Sequence, residues 1–456
     1  MFNDTIAAIS TPLGEGGLAV IRLSGPEALP VADRCFVPAG RDSLKPSQVP
    51  THTIHYGHIT SHGRNVDEVM LAVLRAPRTV TREDVVEISC HGGLLPAKLV
   101  LDAVLGQGAR LAHPGEFTKR AFLNGRIDLA QAEAVADVIH ARTELALAAA
   151  NEQLAGKLSR RIQTLRDGLM NALAHVEAHI DFPDEDIAPD TRDKLLGRMD
   201  QGCEFIQELL RSANEGQILR RGVRAAIVGR PNAGKSSLLN QLLGHDRAIV
   251  SPIAGTTRDT VEETANIRGL PVLFVDTAGL RDPSDVIEAE GIRRSRAAFA
   301  GADFILHVLG ADEVWTEFDQ AQWVEFAGKK RIFVVNKVDL PQKLELPQSN
   351  THPVVRVSCL TEQGIEQLKD AIKELVWSGE ISAEMLPVMI NSRHQNALER
   401  ALIALRRAAD CLREEATLEL CALELRLAVN AVGEIVGKTT TEDLLDAIFS
   451  QFCIGK

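Results

Sequence analysis

The sequence predicts a multidomain protein: an N-terminal α/β domain, then a discontinuous all-α helical domain into which a phosphate-loop α/β domain is inserted. A β-branched apolar run at 223–228 leads into a glycine-containing loop that opens a helix. Strand patterns with Gly and Pro turns occupy the first 118 residues, and helix patterns of 3.6-residue period follow them. Helix patterns resume near Pro387. We therefore expect the domains to be 1–118, 119–215 together with 380–456, and 216–379.

Composition limits the class of protein. The 456 residues suit two to four domains, and 45% hydrophobic with 25% charged residues is typical of a soluble globular chain. No apolar run approaches the ~20 residues that span a bilayer, and no signal peptide is evident, so we expect a cytoplasmic protein without membrane contact. Seven Cys without a C-x-x-C pair indicate a reducing compartment. The net charge of −12 argues against avid non-specific nucleic-acid binding by this chain alone.

The run GRPNAGKS at 229–236 fits the phosphate-loop spacing, in strand–loop–helix context. Gly229 and Gly234 allow backbone N–H groups to surround phosphates. Lys235 is placed to reach the β- and γ-phosphate oxygens, and Ser236 offers a hydroxyl to Mg²⁺. An ordinary glycine turn between strand and helix is the less favoured interpretation.

Three further motifs, each expected at the carboxyl end of a strand, predict that the nucleotide is GTP. Asp276-Thr277-Ala278-Gly279 follows an apolar strand, where the Asp holds the metal through water and the Gly N–H meets the γ-phosphate. Asp339, in Asn336-Lys337-Val338-Asp339, presents a carboxylate to the two N–H donors of guanine, which adenine lacks. Ser358-Cys359-Leu360 follows a fourth strand, at the usual site of a backbone contact to the guanine oxygen.

The hydrolytic machinery departs from that of Ras-like GTPases. Leu280 occupies the position where those proteins place the Gln that orients the attacking water. Asn232 and the loop Gly255-Thr256-Thr257-Arg258-Asp259 offer hard oxygen donors, which suit an alkali cation near the bridge between the β- and γ-phosphates. We therefore expect K⁺ to stabilise the charge of the transition state.

The N-terminal part carries weaker signals. The glycine cluster at 14–17 is interpreted as a tight turn in preference to a phosphate site. His91 follows an alternating strand and is either a base or ligand, or a hydrogen-bonded turn histidine, which is the favoured interpretation. The pattern predicts a helix from Leu94 to Leu105.

Three blocks outside the GTPase motifs resemble the MnmE (TrmE) family of tRNA-modification GTPases, and the likeness covers nearly the whole chain. They are the N-terminal Asp4-Thr5-Ile6 with the glycine cluster and Ile21–Gly25, the middle Pro114–Phe117, Arg120–Asn124 and Asp128–Ala134, and the C-terminal Phe452–Lys456. Generic GTPases share the nucleotide motifs but not these blocks.

The resemblance implies a homodimer that works with an MnmG-type flavoprotein, which carries FAD, in a heterotetramer. This complex would install a carboxymethylaminomethyl-type group at C5 of the wobble uridine, in the anticodon region of certain tRNAs. The one-carbon unit would come from 5-formyl- or methylene-tetrahydrofolate, bound by an N-terminal domain similar to folate-binding domains of the glycine-cleavage type. K⁺-stimulated GTP hydrolysis, with GDP as product, would be coupled to the modification.

The resemblance also assigns sites. The Mg²⁺ ligands fall on Ser236 and Thr257. The K⁺ ligands fall on Asn232, Ser251, Ile253 and Thr256. Tetrahydrofolate contacts fall on Arg22, Glu87, Arg126 and Lys456. Together with the motifs, the residues expected to contact GTP are Asn232, Ala233, Gly234, Lys235, Ser236, Ser237, Ser251, Thr256, Thr257, Asp276, Thr277, Ala278, Gly279, Asn336, Lys337, Asp339, Ser358, Cys359 and Leu360.

Two candidate catalytic residues besides Lys235 and Asn232 have a simpler interpretation. From the sequence alone Glu288 is a solvated residue at a helix start, but the resemblance makes it the group that arranges the attacking water. Cys453 is either a nucleophile or acid in the one-carbon step, or an inert thiol in the tail. For the whole chain, the alternative function is an Era- or EngA-type GTP switch in ribosome assembly, which shares the GTPase motifs but lacks the three blocks.

Overall fold

The computed structural model describes residues 3–40, 44–181, 189–244, 263–275, 301–347, 352–377, 390–414, 417–450 and 452–455. The chain divides into two compact units. The first unit comprises Met1–Ala136, Ser159–Met170 and Arg426–Lys456, and the second comprises Asp137–Leu158 and Asn171–Leu425. The predicted domain limits remain a prediction.

The first unit contains a seven-stranded sheet in the order β3-β4-β5-β6-β2-β1-β7. The strands are β1 (Ile6–Ile9), β2 (Leu18–Ser24), β3 (Phe36–Pro38), β4 (Thr53–Ser61), β5 (Arg64–Leu74), β6 (Val85–His91) and β7 (Arg110–Leu111). Neighbouring strands are antiparallel except β1 and β7, which are parallel. Alternate side chains of β2 and β6 point to one face, where they join α1 (Ala28–Cys35) and α2 (Leu94–Leu105) in a hydrophobic core. The helix predicted at Leu94–Leu105 is thereby confirmed.

The C-terminal segment completes the first unit. Helix α3 (Glu116–Leu123) and helix α13 (Glu442–Phe449) belong to this unit, and Phe449 and Phe452 share a core cluster with Leu129. The backbone N–H of Gly115 donates to the carbonyl of Cys453 at 3.3 Å. The middle and C-terminal blocks of the sequence, more than 300 residues apart, are therefore packed against each other.

The helices of the second unit include α5 (Glu144–Leu154), α7 (Pro189–Arg221) and α11 (Ser392–Arg413). Three further helices, α4 (Leu129–His140), α6 (Lys157–Asp181) and α12 (Leu418–Val436), contain residues assigned to each of the two units. Helices α7 and α11 pack along each other, and the buried face of α11 is an alanine- and leucine-rich stripe, as expected for bundle core. Among the described residues, no helix combines the length and apolar character needed to cross a membrane.

The second unit also contains a six-stranded sheet in the order β13-β12-β11-β8-β10-β9. The strands are β8 (Val223–Val228), β9 (Glu263–Ile267), β10 (Leu270–Phe274), β11 (Phe304–Gly310), β12 (Lys330–Asn336) and β13 (Val354–Arg356). All pairings are parallel except that of β9 with β10. Helix α8 (Lys235–Leu243) follows β8, helix α9 (Glu317–Glu325) lies between β11 and β12 in the sequence, and helix α10 (Ile365–Val376) follows β13.

This sheet determines where the predicted motifs meet. Strand β8 lies between β10 and β11, so the strand order reverses at β8. In open α/β sheets, ligands bind outside the carboxyl ends of the strands at such a reversal. The loops that follow β8, β12 and β13 all leave that edge, and together they form the candidate site.

Candidate nucleotide site

The loop between β8 and α8 has a backbone that requires glycine at two positions. Gly229 has φ +141°, and a Cβ there would lie 2.1 Å from the carbonyl oxygen of Val308. Gly234 has φ +93°, and its Cβ would lie 2.1 Å from Nδ2 of Asn336. A side chain at Gly229 would require the backbone of β11 to move, and a side chain at Gly234 would require the Asn336 amide to move. The backbone path of this loop therefore requires both glycines, and its role in binding phosphate remains a prediction.

Lys235 is folded back over this loop. Its Nζ donates to the carbonyl oxygens of Gly229 at 2.9 Å and Arg230 at 2.6 Å. Partial burial lowers the pKa of the ammonium group because water no longer solvates the charge fully. The two carbonyl oxygens are neutral, so they compensate the positive charge of Lys235 only in part. A phosphate group would supply a full negative charge, and the site therefore favours an anionic ligand.

The side chain of Asn336 connects the phosphate loop to the loop after β13. Its Nδ2 donates to the carbonyl of Ala233 at 3.0 Å, and its Oδ1 accepts from the backbone N–H of Cys359 at 3.1 Å. Gln241, in α8, donates to the carbonyl of Cys359 at 2.9 Å. The phosphate loop and the loop after β13, which is predicted to contact the guanine oxygen, therefore have fixed positions relative to each other.

Asp339, in the loop after β12, is held by a contact with the loop after β13. The Ser358 hydroxyl donates to its Oδ1 at 2.5 Å, which fixes the orientation of the carboxylate. Burial, and secondarily the nearby Asp339 charge, raise the pKa of the Cys359 thiol to about 11, so the thiol is neutral at pH 7. An oriented carboxylate beside neutral groups suits the pair of N–H donors on guanine.

These loops enclose a cleft of about 750 Å³, which is large enough for a nucleotide. The cleft is lined by Pro231, Asn232, Gly234, Lys235, Ser236, Ser237, Asn336, Lys337, Asp339, Leu340, Cys359 and Leu360. All of these except Pro231 and Leu340 were predicted as site residues. Leu360 is 83% exposed at the rim. Ala233 and Ser358, also predicted, act through the contacts described above.

The remaining predicted nucleotide, metal and catalytic residues lie outside the described residues. They are Ser251, Ile253, Thr256, Thr257, Asp276, Thr277, Ala278, Gly279 and Glu288. Lys456, predicted to contact folate, also lies outside them.

Two of the predicted folate residues form a pair on the sheet of the first unit. Arg22 and Glu87 are direct cross-strand partners on β2 and β6, and Arg22 Nε donates to Glu87 Oε1 at 2.8 Å. The Arg22 guanidinium lies 5.8 Å from the centre of the Phe117 ring, a cation–π contact. Arg126 makes a different contact, because its guanidinium donates to the carbonyl of Val80 at 2.7 Å.

The tail and His91 have the following surroundings. Cys453 is exposed, and its thiol role remains a prediction. The Ser10 hydroxyl donates to the carbonyl of Gly455 at 3.1 Å, so the tail lies against the end of β1. His91 is hydrogen-bonded through Nδ1 to Asp67 Oδ1 at 2.7 Å, which raises its pKa. The favoured interpretation is confirmed in that His91 is hydrogen-bonded, but His91 is the last residue of β6 and not part of a turn.

Gln241 is a contact residue that the sequence did not reveal. It follows the phosphate-loop motif in α8, at a position that belongs to no sequence motif. Only the approach of the Cys359 loop to α8 gives it a partner.

Comparison with known proteins identifies the family. The family model described as the GTP-binding protein TrmE N-terminus matches residues 5–126, and that of the MnmE helical domain matches residues 129–453. The tRNA modification GTPase MnmE of Listeria innocua is 48% identical over 99% of each chain. Its counterparts in Geobacillus thermodenitrificans and Chloroflexus aurantiacus are also 48% identical, over 99% and 100% of each chain. These full-length matches favour a tRNA-modification GTPase over an Era- or EngA-type switch in ribosome assembly. The chain belongs to the MnmE (TrmE) family and is a GTPase that acts in tRNA modification.

Proposed function

We propose that the cleft between the loops after β8, β12 and β13 binds GTP and that its hydrolysis there drives wobble-uridine modification. The modification is a carboxymethylaminomethyl-type group at C5, installed together with an MnmG-type flavoprotein. The bridge made by Asn336 carries the proposal, because one side chain fixes the phosphate loop and the guanine loop together. A site that must recognise both ends of one ligand needs such a fixed separation.

Within this cleft the described residues have separate roles. The loop N–H groups and Lys235 hold the phosphates, and Asp339 selects guanine over adenine. Ser236 lines the cleft, where its hydroxyl is a suitable Mg²⁺ ligand together with Thr257. Asn232 lines the same cleft and offers an amide oxygen to K⁺.

The remaining K⁺ ligands of this proposal are Ser251, Ile253 and Thr256, and Glu288 arranges the attacking water in place of the Gln that Leu280 replaces. When bound, the two cations supply positive charge where the transition state develops negative charge. The protein residues orient the phosphates and the water.

The Arg22–Glu87 pair fits a tetrahydrofolate derivative. A pterin presents an amine edge that donates to a carboxylate, and the glutamate tail presents carboxylates that accept from arginine. Glu87 retains 30% side-chain exposure beside Arg22, so a ligand has access to the pair. Arg126 is exposed and is available to the glutamate tail, with Lys456 as a further cation. Cys453 would take part in the one-carbon step if the tail borders this pocket.

Membership of the family supports the rest of the proposal. The chain acts in the cytoplasm as a homodimer and joins an FAD-containing MnmG-type partner in a heterotetramer. The tRNA anticodon region is the substrate of this complex.

The nucleotide part of the proposal is tested by hydrolysis rates in KCl and NaCl at equal ionic strength. We expect faster hydrolysis in KCl, and we expect Asn232→Ala to remove that difference while GTP still binds. Equal rates in the two salts for the unaltered protein would contradict a role for K⁺.

The folate part is tested by calorimetric titration of the full chain with 5-formyl-tetrahydrofolate. We expect saturable binding that Arg126→Ala weakens by about tenfold, equivalent to about 1.4 kcal/mol. Arg64→Ala, which removes an exposed arginine of the same unit, is the matched control and should bind normally. Absence of binding to a folded, GTP-hydrolysing protein would refute the folate site.

A further inference from the structure

The second residue of the phosphate loop, Arg230, has contacts on two sides. Its backbone carbonyl accepts from Lys235 Nζ at 2.6 Å, so it helps to place the lysine that reaches for phosphate. Its side chain does not line the cleft and instead extends to the loop after β11 and to α9. The position of the loop is therefore tied to a segment that contains none of the nucleotide motifs.

The partner of the guanidinium is Asp319, which is fully buried. Arg230 Nε donates to Asp319 Oδ1 at 2.9 Å, and an Nη of the same guanidinium donates to Oδ2. This two-point contact fixes both the distance and the plane of the guanidinium. The guanidinium also donates to the carbonyl of Val314 at 2.6 Å and lies 3.3 Å from Glu313 Oε2.

Asp319 is itself held in place by the start of α9. Both the backbone N–H and the hydroxyl of Thr316 donate to its Oδ2 at 2.9 Å, which is the pattern of a capped helix N-terminus. The carboxylate thus has little freedom to follow a moving arginine. Because the Asp319 side chain is fully buried, loss of Arg230 would leave the carboxylate away from water without this partner.

The same segment also reaches the guanine side of the cleft. Asp312, two residues after the end of β11, lies 3.5 Å from Nζ of Lys337. The loop after β11 therefore contacts one residue from each of two cleft-forming loops. Because β11 lies between β8 and β12 in the sheet, the loop that follows β11 can reach the loops that follow both of these strands.

We propose that Asp319 is a positioning residue for GTP hydrolysis. It acts through the Arg230 guanidinium to fix the carbonyl that holds Lys235, and so keeps the lysine where the β- and γ-phosphates bind. Asp319 touches neither the lysine nor the nucleotide. The inference rests on the proposed role of the cleft as the GTP site.

The test is nucleotide affinity and hydrolysis in the full chain with Asp319→Asn, which keeps an oxygen for Thr316 but loses the charge. We expect GDP to bind about tenfold more weakly, whereas binding of GMP, which lacks the phosphates that Lys235 contacts, changes less than about twofold. The value of kcat/KM for GTP should fall by at least the same factor. Glu317→Gln removes an exposed charge from the same helical turn and should leave every value unchanged.

Arg230→Met, alone and combined with Asp319→Asn, supplies the second test and remains informative should the Asp319 variant fold poorly. If the two residues act as one unit, the double variant should lose no more GDP affinity than either single variant. Additive losses would overturn the proposal. So would wild-type GDP affinity in Arg230→Met, or equal weakening of GDP and GMP in Asp319→Asn.

Lys235→Ala distinguishes this inference from the function on which it rests. Selective loss of GDP affinity in Lys235→Ala together with an unaltered Asp319→Asn would overturn only the inference. Unaltered GDP affinity in Lys235→Ala would overturn both, because the cleft would then not be the phosphate site.

Discussion

The nucleotide cleft of the second unit and the Arg22–Glu87 pair of the first unit are constructed differently. Loop backbone forms much of the cleft, and its glycines approach neighbouring chain so closely that no Cβ fits. The pair consists of two long side chains that meet across a sheet, where the cross-strand register aligns their backbones. The cleft therefore depends on the path of the chain, whereas the pair depends on charge and on the scaffold beneath it.

The largest effect on nucleotide binding should come from adding a methyl group to the cleft. Gly234→Ala places a Cβ 2.1 Å from Asn336 Nδ2 in a backbone conformation that alanine rarely adopts, so the bridge between the two loops must break. We expect GTP affinity to fall by more than about 100-fold in a fluorescent-nucleotide titration.

Gly328→Ala is the control for that variant. A Cβ at Gly328 meets no atom within 4 Å, so the same chemical change should leave GTP affinity unaltered. A normal titration for Gly234→Ala would show that the cleft tolerates changes of chain path, and the contrast between the two sites would fail.

In the first unit, the free energy of unfolding should depend strongly on a buried charge. Arg120 is fully buried, and its guanidinium donates to Asp4 Oδ1 at 2.8 Å and to Glu116 Oε1 at 3.0 Å. Arg120→Met leaves these carboxylates without that partner and should lower the free energy of unfolding by about 3–5 kcal/mol. Urea denaturation monitored in the first unit measures the change.

The adjacent residue provides the matched comparison. Lys119 pairs with Asp446 at 2.6 Å, but the Asp446 side chain is 65% exposed. Lys119→Met should therefore cost only about 0–1 kcal/mol. Similar losses for the two variants would mean that burial of the ion pair does not determine the stability of this unit.

A further prediction concerns the pH dependence of stability, which should differ between the two units. Burial, with the nearby Arg331 charge as a second cause, lowers the pKa of His307 from 6.5 to about 4, so the folded second unit keeps this side chain neutral. The unfolded chain binds a proton below pH 6.5, and His307 therefore lowers stability progressively as the pH falls from 6.5 to 4. The expected loss is about 2 kcal/mol between pH 7 and pH 5.

The carboxylates of the first unit titrate in a lower range. Burial alone would raise the pKa values of Asp4 and Glu116, but Arg110 and Arg120 outweigh it and lower both. Their stabilisation is present above the unfolded values of 3.8 and 4.5 and is lost only below them. Urea unfolding at pH 7 and pH 5 should thus show that the free energy of unfolding falls first for the second unit. The variant His307→Phe should reduce the pH dependence of that free energy. An unchanged pH dependence in that variant would contradict the assignment to His307.

The contrast also explains what the sequence could predict. The phosphate loop, Asn336 and Asp339 lie in short continuous motifs, because each loop closes on itself within a few residues. The strand β11 and the helix α9 contain no such motif and were not predicted, although β11 lies next to β8 at the centre of the sheet. Asp319 could not be assigned to Arg230 without that strand order, since the two are 89 residues apart.

In the first unit the limits are set by strand register. Arg22 and Glu87 are 65 residues apart, and only the antiparallel alignment of β2 with β6 makes them neighbours. The resemblance to the family assigned both residues to the folate site, but the sequence did not predict that they contact each other. The hydrogen-bonded state of His91 was predicted because no second metal ligand lies near it in the sequence, whereas its partner Asp67 could be identified only from the position of β5.

The most direct test of the nucleotide site is amide hydrogen exchange of the full chain with and without GDP. One cleft shared by three loops predicts slower exchange in 229–237, 336–340 and 358–361 together, because all three close on the same ligand. The strands β2 and β6 serve as an internal reference and should be unchanged. Protection limited to the phosphate loop, or none in the presence of saturating GDP, would contradict a single GTP site formed by these loops.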